Sequence, residues 1–142
     1  WDDRYLAWTA RYSTQTHRHW YEGNRRRAHL RAQWSAFFAQ YDAVICPVAS
    51  SSAFPHDQHT PRIHRTIQVN GGPQDYNAQL FWAGLATLVY LPSTVVPTGL
   101  SRWGMPIGMQ IIGGHAQDRT TIGIAPPLAG GGGGFTPPAA YL

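Results

Sequence analysis

The chain has 142 residues, 43% hydrophobic and 13% aromatic, enough for one compact domain with a core, so disorder is excluded as the default. Its formal net charge of +4 is carried by arginine alone, because the sequence contains no lysine. No apolar run is long enough to span a bilayer, and a single cysteine, Cys46, excludes an internal disulfide framework. Since one cysteine fits a reducing compartment and no signal-peptide pattern opens the sequence, we expect a cytoplasmic protein.

The first 40 residues predict helices. Tyr5, Trp8 and Tyr12 recur at helical spacing, which predicts one amphipathic helix or two over residues 1–21, and the Gly-Asn pair at 23–24 is expected to end this segment. Residues 25–40 then predict a further helix, with the Asn of that pair as its N-cap. The apolar stripe of this helix consists of Leu30, Trp34, Phe37, Phe38 and Tyr41. We interpret its opposite, arginine-bearing face as solvated.

The segment 42–48 is a short, continuous apolar run, which favours a strand covered on both faces in a parallel or mixed sheet. Residues 49–73 are polar and contain three prolines, so they predict a long surface connection with a short extended piece at 63–69. A connection of this length inside a compact domain is often functional.

A helix, a bend and two strands follow. Pro92 ends an apolar helix, Ser93–Val96 predicts a strand closed by Pro97, and Pro106–Ile112 predicts its antiparallel partner. We expect strand 42–48 to lie inside a sheet beside Ser93–Val96, with helix 25–40 packed on one face.

A last helix is predicted from residue 119, with Asp118 as its N-cap. The Pro-Pro pair at 126–127 and the glycine run at 130–134 are expected to end this helix early. Residues 135–142 then form a Pro-rich tail.

Three segments carry a family resemblance. They are WSAFFAQYDAVICPV at 34–48, LPSTVVPTG at 91–99 and GMPIGMQIIG at 104–113. Their fixed Trp, Pro, Gly and Gln positions, in this order and spacing, resemble the C-terminal core of the amidase signature family. The resemblance implies an α/β fold, the C-terminal part of a mixed β-sheet flanked by helices. We divide this one domain into a helical part at 1–40, a sheet core at 41–113, and a last helix and tail at 114–142.

The resemblance also implies a reaction, the hydrolysis of carboxylic amides to an acid plus ammonia or an amine. The family's mechanism resembles a Ser–cisSer–Lys triad, with lysine as general base and the nucleophile in a Gly/Ser-rich segment. This chain has neither a lysine nor such a segment, so we expect no catalytic residue in it. We therefore expect a C-terminal fragment of an amidase, inactive alone, with the catalytic residues upstream of Trp1.

The remaining candidates are on the substrate side. Phe54, His56 and Asp57 follow a predicted strand, where loops often border a ligand pocket in α/β sheets. Asp118 lies in a segment that resembles the family's segment after the last core strand, near which some members carry an acidic substrate contact, although an N-cap is the simpler interpretation. Phe81 and Trp82 fit either an acyl pocket or the core, and their helical spacing favours the core.

Other classes are less well supported. His56, His59 and His64 have no recognised metal-ligand spacing, and Cys46 lies mid-strand as a small core residue, so we expect no metal site and no cofactor. The expected partner is a small-molecule amide, with no nucleic acid and no membrane, and a homodimer is left open. The alternatives are a stand-alone, non-catalytic interaction module and an arginine-rich nucleic-acid-binding domain.

Overall fold

The protein's computed structural model describes residues 3–131 and 134–137, so residues 138–142 of the predicted tail lie outside the described part. Among the described residues, four α-helices accompany five strands that pair in two antiparallel sheets, and the expected α/β class is confirmed. The elements are α1 (Asp3–Ser13), α2 (His17–Phe37), β1 (Val44–Pro47), β2 (Thr66–Val69), β3 (Gly72–Asp75), α3 (Leu80–Thr87), β4 (Ser93–Leu100), β5 (Pro106–Ile112) and α4 (Asp118–Gly131). Single 3₁₀ turns at Arg62–His64 and Tyr76–Gln79 precede β2 and α3.

The central sheet has three antiparallel strands in the order β1-β5-β4. Val44 of β1 and Ser93 of β4 both lie opposite Ile112 of β5. The expected pairing of β4 with β5 is confirmed. Strand β1 lies in the same sheet as β4, as expected, but the expectation that it lies beside β4 is wrong because β5 separates them. Strand β4 pairs with one edge of β5 in the hairpin. Strand β1 therefore pairs with the other edge of β5.

Strand β4 runs past Pro97 to Leu100, which corrects the expectation that Pro97 closes it. The register shifts between Pro97 and Gly99, so one extra residue is accommodated as a bulge. Proline is tolerated here because β4 is an edge strand of this sheet, where an absent N–H breaks no ladder.

Strand β1 is also an edge strand, and its burial alternates. Val44 and Cys46 pack against the core, whereas 53% of Ile45 is exposed. The expectation that this strand is covered on both faces is therefore wrong for the described chain, because only the face carrying Val44 and Cys46 meets the core cluster.

A second, two-stranded sheet begins within the predicted surface connection, and its first strand falls inside the extended piece expected at 63–69. Strands β2 and β3 pair as an antiparallel hairpin. Asn70 and Gly71 at its tip have φ of 52° and 83°, as a type I′ turn requires at both central residues. The Asn-Gly pair is the signal that sequence reasoning missed.

Helix α2 begins at His17 and continues through Gly23, so the predicted break at 23–24 is wrong. Thr16 is the N-cap, and its side chain accepts from the His19 N–H. A glycine inside a helix costs only about 1 kcal/mol, which a helix of 21 residues can absorb.

Helix α4 likewise continues through Pro126 and Pro127 to Gly131, so the expected early end is wrong. The carbonyl groups that these prolines leave without an N–H partner belong to Ile122 and Gly123. Both residues are exposed, so water can hydrate those oxygens.

The core is small. Its buried cluster brings together α3, the bend before β4 and strand β5, and consists of Ala86, Val89, Leu91 and Ile112. The side chains of Trp34 and Phe38 at the end of α2 pack against this cluster. The other face of the sheet carries α4, where the Thr94 hydroxyl donates to the Thr121 hydroxyl at 2.9 Å. A Cβ on Gly113 would lie 2.6 Å from Thr121 Cγ2, so glycine permits this close packing.

Much apolar surface stays exposed. The accessible surface is 10736 Å², whereas a compact monomer of 15.7 kDa exposes about 7300 Å². None of the residues of α2 is buried. The largest exposed aromatic side chains include Trp8, Tyr12, Trp20, Tyr21, Phe81 and Trp103. Large exposed apolar areas are uncommon on compact monomers and favour association.

We therefore predict that the isolated 142-residue chain self-associates and binds a hydrophobic dye. Each large apolar side chain is worth about 1.5–3 kcal/mol on burial, against a typical stability of about 5–15 kcal/mol. The measurement is size-exclusion chromatography over a concentration series, combined with dye fluorescence and a thermal melt. A monomer at all concentrations, with a sharp cooperative melt and negligible dye binding, would contradict the prediction and favour a stand-alone domain.

Candidate amide-substrate site

Three of the sequence-predicted site residues come together. Phe54, His56 and Asp57 line one open cleft of about 420 Å³ beside Arg65 and Tyr76. The Phe54 and Tyr76 rings meet edge to face, with centroids 6.0 Å apart. The loop after β1 and the β2–β3 hairpin thus form a surface that carries two aromatic rings, the acidic Asp57 and the basic Arg65.

Asp57 organises its own loop. Its Oδ1 accepts from the backbone N–H groups of His59 at 3.0 Å and Thr60 at 2.8 Å. Hydrogen bonds from the side chain and backbone of Thr60 hold the pKa of the Asp57 carboxyl below its ordinary value, with a small Coulombic contribution from Arg65. Arg65 Nε also donates to the Thr60 carbonyl at 2.7 Å, so hydrogen bonds with both Asp57 and Arg65 hold the loop at Thr60.

Asp118 is not among the residues that line this cleft. Helix α4 begins at Asp118 itself, one residue earlier than predicted, and its carboxylate lies in the first turn, where the helix dipole favours negative charge. The structure therefore separates Asp118 from Phe54, His56 and Asp57, and a substrate contact for each of the four stays a prediction.

A second cleft, of about 610 Å³, opens at the carboxyl end of β1. Pro47 and Ser50 line one side, Gln74 lines another, and Phe81 and Trp82 of α3 close it. Phe81 is 61% exposed, so the expectation that it belongs to the core is wrong for this chain. The hairpin places polar residues opposite this aromatic pair.

Sequence reasoning assigned no role to Gln110, which is 4% exposed and links three elements around these clefts. Its Nε2 donates to the carbonyls of Pro47 and Trp82, both at 2.9 Å. Its Oε1 accepts from the Ser93 hydroxyl at 3.1 Å. The signal was present, because an amide inside the apolar strand MQII must find partners when it is buried.

Cys46 has the environment of a structural thiol. Burial raises the pKa of the Cys46 thiol above its ordinary value, although a hydrogen bond with the Gln110 side chain opposes the shift. A raised pKa keeps sulfur protonated at neutral pH, which disfavours nucleophilic attack. Within residues 3–131 and 134–137, histidine, cysteine and acidic side chains nowhere converge in threes as a metal site would require.

Comparison with known proteins identifies the family. The family model for amidases matches residues 1–122. The chain belongs to the amidase family. A crystal structure of an amidase superposes with a TM-score of 0.61 at 23% identity, covering 83% of this chain and 24% of that one, and supports the fold.

Curated relatives of this amidase chain agree with the assignment. It is 32% identical over 103 residues to a glutamyl-tRNA(Gln) amidotransferase subunit of Leptospira interrogans, covering 72% of this chain and 19% of that protein. The corresponding protein from Treponema pallidum, which bears the same name, is 32% identical over 99 residues, covering 70% and 18%. The amidase chain thus spans about a fifth of the length of these relatives.

The resemblance drawn from the three segments is therefore confirmed. In this amidase chain those segments form the end of α2 with β1, the strand β4, and the central strand β5. None of the helices among the described residues combines the length and the apolarity that crossing a bilayer requires.

We predict that Gln110→Leu lowers the free energy of unfolding by about 2–4 kcal/mol, because two carbonyls and one hydroxyl lose a partner in a buried site. Gln68→Leu is the matched control, since Gln68 is exposed on β2 and should change stability by less than about 0.5 kcal/mol. Denaturant unfolding at low protein concentration measures both. Equal effects of the two substitutions would show that Gln110 does not link these elements.

A further prediction concerns acid. The folded-state pKa of Asp57 is depressed, so its carboxylate stabilises the folded loop at any pH above the unfolded-state pKa of about 3.9. This stabilisation is lost as the pH falls through the folded-state pKa. We expect the Asp57 carboxyl carbon to titrate in NMR with a midpoint below about 3.9.

The matching variant is Asp57→Ala, which should accelerate hydrogen exchange at the amides of His59 and Thr60. Asp42→Ala, at another exposed aspartate, should leave those two amides unchanged. A midpoint at or above the ordinary aspartate value would refute the described loop geometry.

Proposed function

We propose that this chain is the C-terminal part of an amidase that hydrolyses carboxylic amides to an acid plus ammonia or an amine. The catalytic Ser–cisSer–Lys set would be supplied by a part of the enzyme upstream of Trp1. The proposal rests on one combined observation: the chain belongs to the amidase family, yet none of its 142 residues is a lysine, the general base of that mechanism.

Exposed surface supports the same proposal. Val95 and Leu100 of the edge strand β4 are 55% and 70% exposed, and Ile45 of the other edge strand is 53% exposed. Unpaired edges and apolar side chains on both outer strands suit a sheet that continues into further strands. Loss of a nucleophile and its base leaves only residual catalysis, so the chain alone would be inactive.

Within that enzyme the chain would supply one wall of the substrate site. One cleft is lined by Phe54, His56 and Asp57 together with the start of the β2–β3 hairpin, and the other is lined by Phe81 and Trp82 together with later residues of the same hairpin. In open α/β sheets, ligands bind in such crevices at strand ends. Asp118 would contact substrate only if the rest of the enzyme closes over the start of α4.

A second candidate is suggested by the names of the curated relatives. Those names describe subunits of a glutamyl-tRNA(Gln) amidotransferase, so the parent enzyme would release ammonia from an amide for transfer. The two candidates differ in whether ammonia is passed on to an acceptor or released to solvent.

The test compares the 142-residue chain with the longer reading frame that contains it. We expect that frame to encode a lysine and a Gly/Ser-rich segment, and to release ammonia from simple amides or from glutamine. The chain alone should show no turnover. Turnover by the purified chain that is abolished by Ser50→Ala or Cys46→Ala would overturn the proposal, since both residues lie inside the chain.

A further inference from the structure

Two arginines converge on one tyrosine at the end of the sheet opposite the clefts. Arg27 and Arg31 lie one turn apart on α2, and their guanidinium carbons are 5.0 and 5.6 Å from the centre of the Tyr90 ring. Tyr90 precedes β4 beside Ser93, whereas the clefts lie beyond Pro47, at the other end of β1. The cluster is therefore independent of the proposed amide site.

The charges of this cluster are not neutralised within the described residues. Neither Arg27 nor Arg31 forms an ion pair there, and like charges at i and i+4 of a helix repel. Helix α2 carries five arginines against one glutamate, so it adds positive rather than negative charge. The electrostatic potential around Tyr90 is therefore positive, and it favours the binding of an anion.

Hydrogen-bonding capacity is also left over. Arg27 Nη1 donates to Tyr90 Oη, so the tyrosine hydroxyl still has its own proton to donate. Arg27 Nε is shielded from solvent and has no partner among the described residues. A donor that is neither hydrated nor paired costs free energy.

The backbone at Tyr90 is consistent with a role for the ring. Tyr90 has φ of 61°, at the helix-ending position where glycine is usual, and Leu91 N–H donates to the Ala86 carbonyl at 3.0 Å. A tyrosine in this conformation is less favourable than glycine, yet it places the ring between Arg27 and Arg31.

We propose that Arg27, Arg31 and Tyr90 bind an oxyanion, a carboxylate or a phosphate. Guanidinium groups match both by charge-assisted, bidentate hydrogen bonds, and the Tyr90 hydroxyl adds a third donor. A carboxylate would come from a side chain of another polypeptide segment, and a phosphate from a small molecule in solution.

The test uses the full chain labelled with ¹⁵N-arginine, at a concentration where it elutes as a monomer. All eleven basic residues are arginines, and Arg27→Lys assigns the Nε–Hε signal of Arg27. Sodium phosphate and sodium acetate are titrated at neutral pH against sodium chloride of equal ionic strength. We expect a saturable shift with a dissociation constant of about 1–10 mM. If phosphate binds more tightly than acetate, the ligand is assigned as a small-molecule phosphate. If acetate binds at least as tightly as phosphate, the ligand is assigned as a side-chain carboxylate of another polypeptide segment.

Variants separate a built site from general screening. Arg31→Gln should weaken binding about tenfold, and Tyr90→Phe, which keeps the ring, about threefold. Arg18→Gln removes the same charge from an exposed position on α2 and should leave the affinity unchanged. The proposal is overturned if the signal responds to phosphate and acetate only as it does to chloride, or if Arg18→Gln and Arg31→Gln weaken binding equally. The first outcome needs no assignment when none of the eleven arginine Nε–Hε signals of the unsubstituted chain responds beyond the chloride control, so misfolded variants cannot mask it.

Discussion

The buried amide of Gln110 is the interaction on which the arrangement of the sheet and α3 depends. From the central strand it reaches the Pro47 carbonyl at the end of β1, the Trp82 carbonyl in α3 and the Ser93 hydroxyl at the start of β4. A buried amide must satisfy both its donor and its acceptor, so these three elements can pack around β5 in few ways. The same bonds position Pro47 and Trp82, which line the cleft at the carboxyl end of β1.

Incomplete burial is the second constraint. The described core buries few large side chains completely, among them Ile111, Ile112 and Val89, while whole helical stripes lie exposed. The end of α2 touches the core through Trp34 and Phe38, and its middle contacts the body through Arg27 and Tyr90. The chain covers about a fifth of its curated relatives. If it is the C-terminal part of an amidase, as proposed, these exposed surfaces would join it to the rest of that domain.

The candidate site combines predicted and unpredicted parts. The sequence pointed to Phe54, His56 and Asp57 because they follow a strand in a polar segment. It did not show that the β2–β3 hairpin folds back beside them, or that Tyr76 would stand against Phe54. The positive-φ pair at Asn70 and Gly71 is a local signal, whereas the neighbours of that hairpin are set by long-range packing.

The sequence by itself determined the family, the α/β class, the β4–β5 pairing and the absence of lysine, because motifs and short-range patterns carry that information. Only the tertiary structure decided that β1 lies beside β5, that α2 runs through Gly23 and that α4 runs through Pro126. Local breakers cost only a few kcal/mol each, so packing and solvation of the whole element override them. Strand order depends on which edge remains unpaired once the hairpin has formed, a property that no single segment contains.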